Sequence, residues 1–157
     1  MDDRLFRDAM GKFATGVTVL LTENEGEVHG MTANGFMSVS LDPKLVVISI
    51  GHKAKFLEKV SQSGKYTVNI LAEDQEHYSR HFAGRPDGEV QFGELSSLPV
   101  LNDVVAQIAC EVVSQHVEGD HTLFIGKVID LQLTDKDPLL FYSGKYQKLA
   151  KATAIES

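Results

Sequence analysis

A Gly-Asp turn at residues 119–120 places His121 at the entrance of an apolar run, and this run predicts a buried strand over residues 121–134. A strand entrance holds an imidazole ring rigidly and leaves it open to a small ligand. A histidine with a purely structural role, or one that is merely exposed, is the alternative.

A second polar segment, Thr32-Ala33-Asn34-Gly35, lies about ninety residues upstream, between two predicted strands. Short side chains and a glycine let backbone N–H groups approach a planar polar ligand. Asn34 offers both a donor and an acceptor, and Thr32 adds a hydroxyl group. These features indicate a ligand-binding loop, with an ordinary turn before an edge strand as the alternative.

Two hydroxyl groups follow this loop on the next predicted strand, residues 36–41. Ser38 and Ser40 are two residues apart, so strand alternation predicts that they share one face, with Val39 on the other. Two hydroxyl groups on one face of a sheet are able to line a polar pocket.

A third segment, His52-Lys53-Ala54-Lys55, follows an apolar strand and precedes a short predicted helix. Two lysines, together with the N–H groups at the start of that helix, suit a phosphate group. A solvated lysine pair is the alternative.

Other chemistries lack a motif. The chain has no Gly-x-Gly-x-x-Gly, Walker or Gly-x-Ser-x-Gly sequence and no zinc-type Cys/His spacing. His77 and His81 have i, i+4 spacing on a predicted helix, but no third ligand is evident, so we expect a solvated helix face and no metal. The single cysteine, Cys110, predicts a small buried side chain in a protein of a reducing compartment.

The composition fits one soluble globular domain over residues 1–157, with 43% hydrophobic and 24% charged residues. A net charge of -7 argues against nucleic-acid binding, which requires a basic surface. The first residues lack the apolar core of a signal peptide, and no apolar run is long enough to span a membrane. We therefore expect a cytoplasmic protein with no membrane partner.

The elements that position these segments are mostly strands. Hydrophobic periodicity predicts helices over residues 2–14, 54–61 and 73–82, and an irregular surface loop or lid over 84–90. Strands are predicted over residues 17–22, 28–31, 36–41, 45–50, 66–71, 104–115, 121–134 and 139–142. Short strands without βαβ alternation indicate a mainly β fold, an antiparallel barrel with peripheral helices.

The motifs together resemble the flavin reductase-like family, the small NAD(P)H:flavin oxidoreductases (EC 1.5.1.-). The resemblance covers residues 5–146 and includes Phe-Ala-Thr-Gly-Val-Thr-Val at 13–19, Gly-Met-Thr-Ala-Asn-Gly-Phe at 30–36, Ser-Val-Ser-Leu-Asp-Pro at 38–43, Val-Asn-Ile-Leu at 68–71, Phe-Ala at 82–83, Gly-Asp-His-Thr at 119–122 and Leu-Leu-Phe-Tyr at 139–142. It implies a Greek-key-like, FMN-binding split β-barrel that forms a homodimer, with the flavin at or near the subunit interface.

The resemblance also implies a role for individual positions. Those expected to contact or border the flavin are Thr32, Ala33, Asn34 and Gly35 at the isoalloxazine edge, Ser38, Val39 and Ser40 along the ring and ribityl chain, His52, Lys53, Ala54 and Lys55 at the phosphate, and Phe82 and Ala83 at the border. His121 is expected on the nicotinamide side, with Tyr142 completing that pocket. The chain departs from the family in having no Ser or Thr in residues 52–55 and a glycine at Gly35, where serine is common.

The implied activity is hydride transfer from NADH or NADPH to FMN or FAD, with His121 positioning the donor rather than moving a proton. A separate monooxygenase is a candidate user of the reduced flavin. A flavin-binding or electron-transfer protein without turnover is the main alternative, and a barrel without cofactor is a third. The sequence leaves open FMN or FAD, NADH or NADPH, and whether flavin is a prosthetic group or a substrate.

Overall fold

The computed structural model describes residues 1–150, which form three helices and twelve strands. The helices are α1 (Asp3–Gly11), α2 (Lys55–Ser63) and α3 (Glu76–His81). The strands are β1 (Thr15–Gly16), β2 (Thr18–Asn24), β3 (Glu27–Ala33), β4 (Phe36–Leu41), β5 (Lys44–Gly51), β6 (Lys65–Ile70), β7 (Phe92–Leu95), β8 (Leu98–Leu101), β9 (Ala106–Glu118), β10 (His121–Leu133), β11 (Leu139–Tyr142) and β12 (Lys145–Lys148).

Seven strands form the main sheet in the order β3-β2-β6-β9-β10-β5-β4, and every pairing in it is antiparallel. Two small antiparallel sheets, β1-β11-β12 and β7-β8, accompany it. These observations confirm the mainly β, antiparallel fold. Within residues 1–150 no pairing joins the edge strands β3 and β4, so the main sheet is open rather than closed into a barrel.

The core lies on both faces of the sheet. The first cluster is closed by α2, whose Phe56 and Val60 pack on strand residues that include Ile48, Ile50 and Phe124. The second cluster lies on the other side of β2, where Val19 and Leu21 pack with residues that include Leu101 and Leu139. Because β2 is buried on both faces, its residues Val19, Leu20 and Leu21 are consecutive apolar residues rather than alternating with polar ones.

Buried side-chain amides connect the small β7-β8 sheet and α3 to the main sheet. Asn69 donates to the carbonyl oxygen of Val19 at 3.0 Å and accepts from the N–H of Leu101 at 2.9 Å. The side-chain nitrogen of Gln75, just before α3, donates to the carbonyl oxygens of Asn102 at 3.0 Å and Asp103 at 3.1 Å, which follow β8, while its oxygen accepts from the N–H of Ala72 at 2.9 Å. A buried polar group is retained where its hydrogen bonds are made, and these groups make theirs between elements.

Several predicted elements differ from the observed ones. Helix α1 ends at Gly11 rather than at residue 14, and α3 is shorter than residues 73–82 at both ends. The short strands β1, β7, β8 and β12 were not predicted, because each is set by its pairing partner rather than by a periodic run of its own. Residues 84–90 lack regular structure, as expected, and Cys110 is buried as predicted.

Two further observations concern residues 1–150 as a whole. None of the three helices has the length and apolar character needed to cross a membrane. In this part of the chain, no cluster of three or more His, Cys, Asp or Glu side chains is placed to hold a metal ion. His81 instead accepts a hydrogen bond at Nδ1 from the N–H of Asp87, at 2.9 Å.

Candidate active site

The turn between β3 and β4 carries hydrogen-bond donors that the fold does not use. The carbonyl oxygen of Asn34 accepts from the N–H of Phe36 at 3.0 Å, and that of Gly35 from the N–H of Ser49 at 2.9 Å. Within residues 1–150, neither main-chain N–H of this turn donates to a protein acceptor. Both residues are exposed, so their N–H groups and the Asn34 amide are available to a ligand.

Three cavities meet at Asn34. The sheet cavity, of about 680 Å³, lies on the face of the main sheet opposite α2, and its apolar wall includes Phe13, Met37, Val47, Ile70 and Leu123. The helix cavity, of about 560 Å³, lies between α1 and the β11-β12 turn. The small cavity, of about 250 Å³, lies beside α3. An apolar cavity with a few convergent polar groups is typical of a cofactor site.

Strand pairing brings His121 to the same face of the sheet. His121 is directly opposite Gly51, and Leu123 is opposite Ser49. Side chains two residues apart on a strand share a face, so His121 lies on the face that carries Leu123 and Ser49. Both of these residues line the sheet cavity. Ser49, which is hydrogen-bonded to Gly35, is two residues from Gly51, the partner of His121. The Asn34–Gly35 turn and His121 are therefore separated by about 7 Å along the strand.

The His121 ring is oriented by its neighbour. Nδ1 of the imidazole is 2.8 Å from Oδ1 of Asp120, and the His121 side chain is 47% exposed. The hydrogen bond from His121, followed by its charge, lowers the pKa of the Asp120 carboxyl. With Nδ1 engaged by the carboxylate, Nε2 is the ring nitrogen left for a ligand.

The two β4 serines do not share a face, so that prediction is wrong. Ser38 is opposite Val46 and Ser40 is opposite Leu45, because a bulge at Val39 shifts the register between them. Val46 and Leu45 are consecutive and point to opposite faces of β5, so their partners do too. The inserted residue of a bulge cannot be foreseen from alternation in one strand.

In the loop over residues 52–55, some groups are available to bind an anion, whereas the His52 side chain already contacts another residue. Lys53 and Lys55 are exposed, and within residues 1–150 neither lies within ion-pair distance of a carboxylate. Ala54 is the N-cap of α2 and supplies no side-chain hydrogen bond to the first helical N–H groups. The two lysine side chains and the first N–H groups of α2 are groups of the kind that bind an anion. His52 differs, since its Nε2 is 3.0 Å from the hydroxyl of Thr122.

The donors of Thr32 are committed within the protein. Its hydroxyl donates to the carbonyl oxygen of Ser79 at 2.6 Å, and its N–H donates to that of Phe82 at 3.2 Å. Thr32 therefore fastens the end of β3 to α3 and is left with an acceptor only. Ala33 lines the small cavity beside it.

The remaining predicted site residues, Phe82, Ala83 and Tyr142, lie in different places relative to the three cavities. Phe82 packs in the second core cluster, where a Cβ on Gly30 would lie 2.6 Å from its ring, while Ala83 lines the small cavity. Tyr142 lies 5.6 Å from the Lys12 ammonium group and is absent from the walls of the three cavities. Its neighbour Phe141 lines two of them instead.

Ser49, Leu123 and Phe141 are site residues that sequence reasoning missed. Each lies within an ordinary apolar strand pattern, and only the pairing of β5 with β10 and of β1 with β11 brings them to the cavities. The local signal for Phe141 was its place in the Leu-Leu-Phe-Tyr motif, from which only Tyr142 was selected.

Comparison with known proteins identifies the class that this fold and site define. A family model described as flavin reductase like domain matches residues 10–150. The match covers most of the chain, so the protein belongs to the flavin reductase-like family. The family predicted from the motifs is thereby confirmed.

Individual relatives agree with this assignment. The solved structure of the flavin reductase PheA2 has a TM-score of 0.94 and 64% identity, covering 96% of this chain and 100% of that one. An NADH-dependent flavin reductase from Rhodococcus sp is 48% identical over 149 residues, which is 91% of this chain and 84% of the relative. The styrene monooxygenase flavin reductase from Pseudomonas putida S12 has a TM-score of 0.87 and 38% identity, covering 94% and 99%.

Proposed function

We propose that this chain is an NADH-dependent flavin reductase, an oxidoreductase that transfers hydride from reduced nicotinamide to FMN or FAD. The observation that carries the proposal is the Asn34–Gly35 turn. Asn34 and Gly35 line the sheet cavity, and their main-chain N–H groups have no protein acceptor within residues 1–150. His121 lies about two strand residues away on the same face. The proposal treats residues 1–157 as one flavin reductase-like domain.

The residues around the sheet cavity fit a flavin. A fused aromatic ring needs apolar walls and a few polar contacts at its edge, and the cavity offers both. Asn34 and Gly35 supply N–H groups to the polar edge of the ring. Lys53, Lys55 and the first N–H groups of α2 supply positive charge and donors to the phosphate.

When bound, the flavin supplies the electron-accepting ring and the nicotinamide supplies the hydride. The contribution of the protein is to hold the two rings in contact and to keep water out. His121 would border the nicotinamide, with Asp120 fixing the ring through Nδ1. Donors at the turn would stabilise negative charge on the reduced ring.

The exposed apolar side chains support a homodimer. Leu5, Phe6 and Met10 on α1 are more than half exposed, and so are Leu41 on β4 and Leu133 on β10. Exposed apolar side chains of this kind mark interaction surfaces, and Phe6 and Met10 also line the helix cavity. We propose that a second copy covers these side chains. Sedimentation of the purified protein at a dimer mass is the expected result, and a monomer mass would contradict it.

We also propose that the reduced flavin is delivered to a separate monooxygenase. The relative from Pseudomonas putida S12 is named as the flavin reductase of styrene monooxygenase. In such a pair, the reductase releases its flavin, so the flavin would be a substrate rather than a permanent prosthetic group. A flavin that co-purifies at one per chain and survives dialysis would contradict this part of the proposal.

The activity is tested by steady-state oxidation of NADH and of NADPH with added FMN or FAD. The expected result is turnover that requires both nucleotides and is faster with NADH. A protein that binds flavin but oxidises neither nicotinamide is instead a storage or electron-transfer protein. A protein that binds no flavin at all would contradict the site as well as the activity.

A further inference from the structure

His52 is tied to both residues that flank His121. Its ring Nε2 is 3.0 Å from the hydroxyl oxygen of Thr122, and its main-chain N–H donates to the carbonyl oxygen of Asp120 at 2.9 Å. Thr122 is buried, with 5% of its surface exposed. The contact between the two side chains is therefore partly shielded from water, where a hydrogen bond contributes more than at an open surface.

The same residue begins the loop that leads into α2. The N–H of Ala54 donates to the carbonyl oxygen of Gly51 at 3.0 Å, which closes a tight turn around His52 and Lys53. Helix α2 starts at Lys55, immediately after this turn. His52 thus connects two parts of the site. One is the candidate phosphate-binding loop before α2, and the other is strand β10, which carries His121.

The His52 ring lies on the other face of the sheet from His121. Its partner Thr122 is opposite Ile50, which belongs to the buried core beneath α2, whereas His121 is opposite Gly51 on the cavity side. An imidazole on the α2 side does not face the sheet cavity. Its effect on a bound nicotinamide must therefore pass through β10.

We propose that His52 is a positioning residue of the reductase reaction, acting through Thr122 to fix His121 relative to the phosphate loop. This inference rests on the proposed function. Hydride transfer requires the reacting atoms at about 3–3.5 Å, and a displacement of about 1 Å costs on the order of a hundredfold in rate. The His52–Thr122 contact sets the spacing between the two ends of the site.

A positioning role and direct phosphate binding predict different results when Thr122 is also changed. A phosphate ligand acts on flavin affinity whether or not Thr122 keeps its hydroxyl. A positioning residue loses its effect when Thr122 is changed, because the two side chains act as one unit. A double-mutant cycle measures that difference.

The test compares wild type, His52→Ala, Thr122→Val and the double variant in KM for NADH, kcat and flavin Kd. Each single variant should lower kcat/KM for NADH by about tenfold, with flavin Kd changed less than about twofold, and the double variant should be no worse than either. Thr122→Ser keeps the hydroxyl and should restore activity to within about twofold of wild type. Thermal unfolding of each variant shows whether it is folded.

Additive losses in the double variant, or full activity in Thr122→Val, would overturn the inference. So would a loss of flavin binding in His52→Ala alone, which would make His52 a phosphate ligand. If Thr122→Val does not fold, His52→Ala decides by itself: a lower kcat/KM for NADH with unchanged flavin Kd supports the inference, and an unchanged kcat/KM overturns it. A wild-type protein without NADH oxidation overturns the proposed function itself, whereas an active wild type with additive variants overturns only this inference.

Discussion

Asp120 and His121 form a hydrogen bond at the start of β10, with the carboxylate Oδ1 2.8 Å from the imidazole Nδ1. The bond lowers the pKa of the Asp120 carboxyl, so the folded chain favours the ionised form more than the unfolded chain does. The pair therefore stabilises the fold above the ordinary carboxyl pKa. That contribution is lost as the pH falls through the lowered value.

The pKa of Asp120 should rise toward its ordinary value in His121→Ala, because its largest cause is removed. Carboxyl carbon NMR measured across the acid range would show this shift directly. His116→Ala is the matched control, since His116 is an exposed strand histidine that contacts Ser114. An unchanged Asp120 titration in His121→Ala would contradict the pairing.

Gly35→Ala should weaken flavin binding by about tenfold, which is a loss of about 1.4 kcal/mol in binding free energy. The loss is expected because the added methyl group overpacks the turn. A Cβ at this position would lie 3.2 Å from Cβ of Ser49, so the turn and β5 would have to separate. The double variant Gly35→Ala with Ser49→Gly removes the crowding and should recover much of the affinity. Fluorescence titration with FMN and FAD measures it. Wild-type affinity in the single variant would show that the turn is not held by this contact.

Tyr66→Phe should leave the free energy of unfolding unchanged or raise it by up to about 1 kcal/mol. Within residues 1–150, the Tyr66 hydroxyl is buried without a hydrogen-bond partner. Burial, followed by the neighbouring Cys110 thiol, raises the pKa of this hydroxyl well above its usual range. Burial likewise raises the pKa of the adjacent Cys110 thiol to about 12.

Gly126→Ala should instead destabilise the protein by about 1–3 kcal/mol, because the new Cβ would meet the Tyr66 ring, with Cζ only 2.8 Å away. Urea denaturation of both variants measures the two effects. A loss of more than about 1 kcal/mol in Tyr66→Phe would mean that the hydroxyl has a partner in solution.

The sequence predicted the elements with strong periodicity and the turns between them. The apolar runs of β5 and β10 and the Thr32–Gly35 loop could be placed because each carries its signal locally. The family followed from the order of the motifs. The short strands, and the loss of alternation at Val39, could not be placed, since they depend on partners far along the chain.

The same limit applies to the site. Residue types alone marked His121 and the Asn34–Gly35 turn as separate candidates, and the family resemblance placed both around one flavin. The pairing of β5 with β10 shows how the fold brings them near one another. The hydroxyl of Thr32 looked available and is used by Ser79, and His52 looked like an anion ligand and contacts Thr122. Residue type alone does not reveal which hydrogen bonds are already made.

The most direct test of the account is the rate at which NADH reduces bound flavin, measured by anaerobic stopped-flow in wild type, His121→Ala and His116→Ala. We expect His121→Ala to bind flavin within about twofold of wild type, but we expect NADH to reduce that flavin on the order of ten- to a hundredfold more slowly at the same NADH concentration. His116→Ala should match wild type. Equal reduction rates in all three proteins, or a His121→Ala variant that loses flavin yet regains full hydride transfer with excess flavin, would contradict the placement of nicotinamide beside His121.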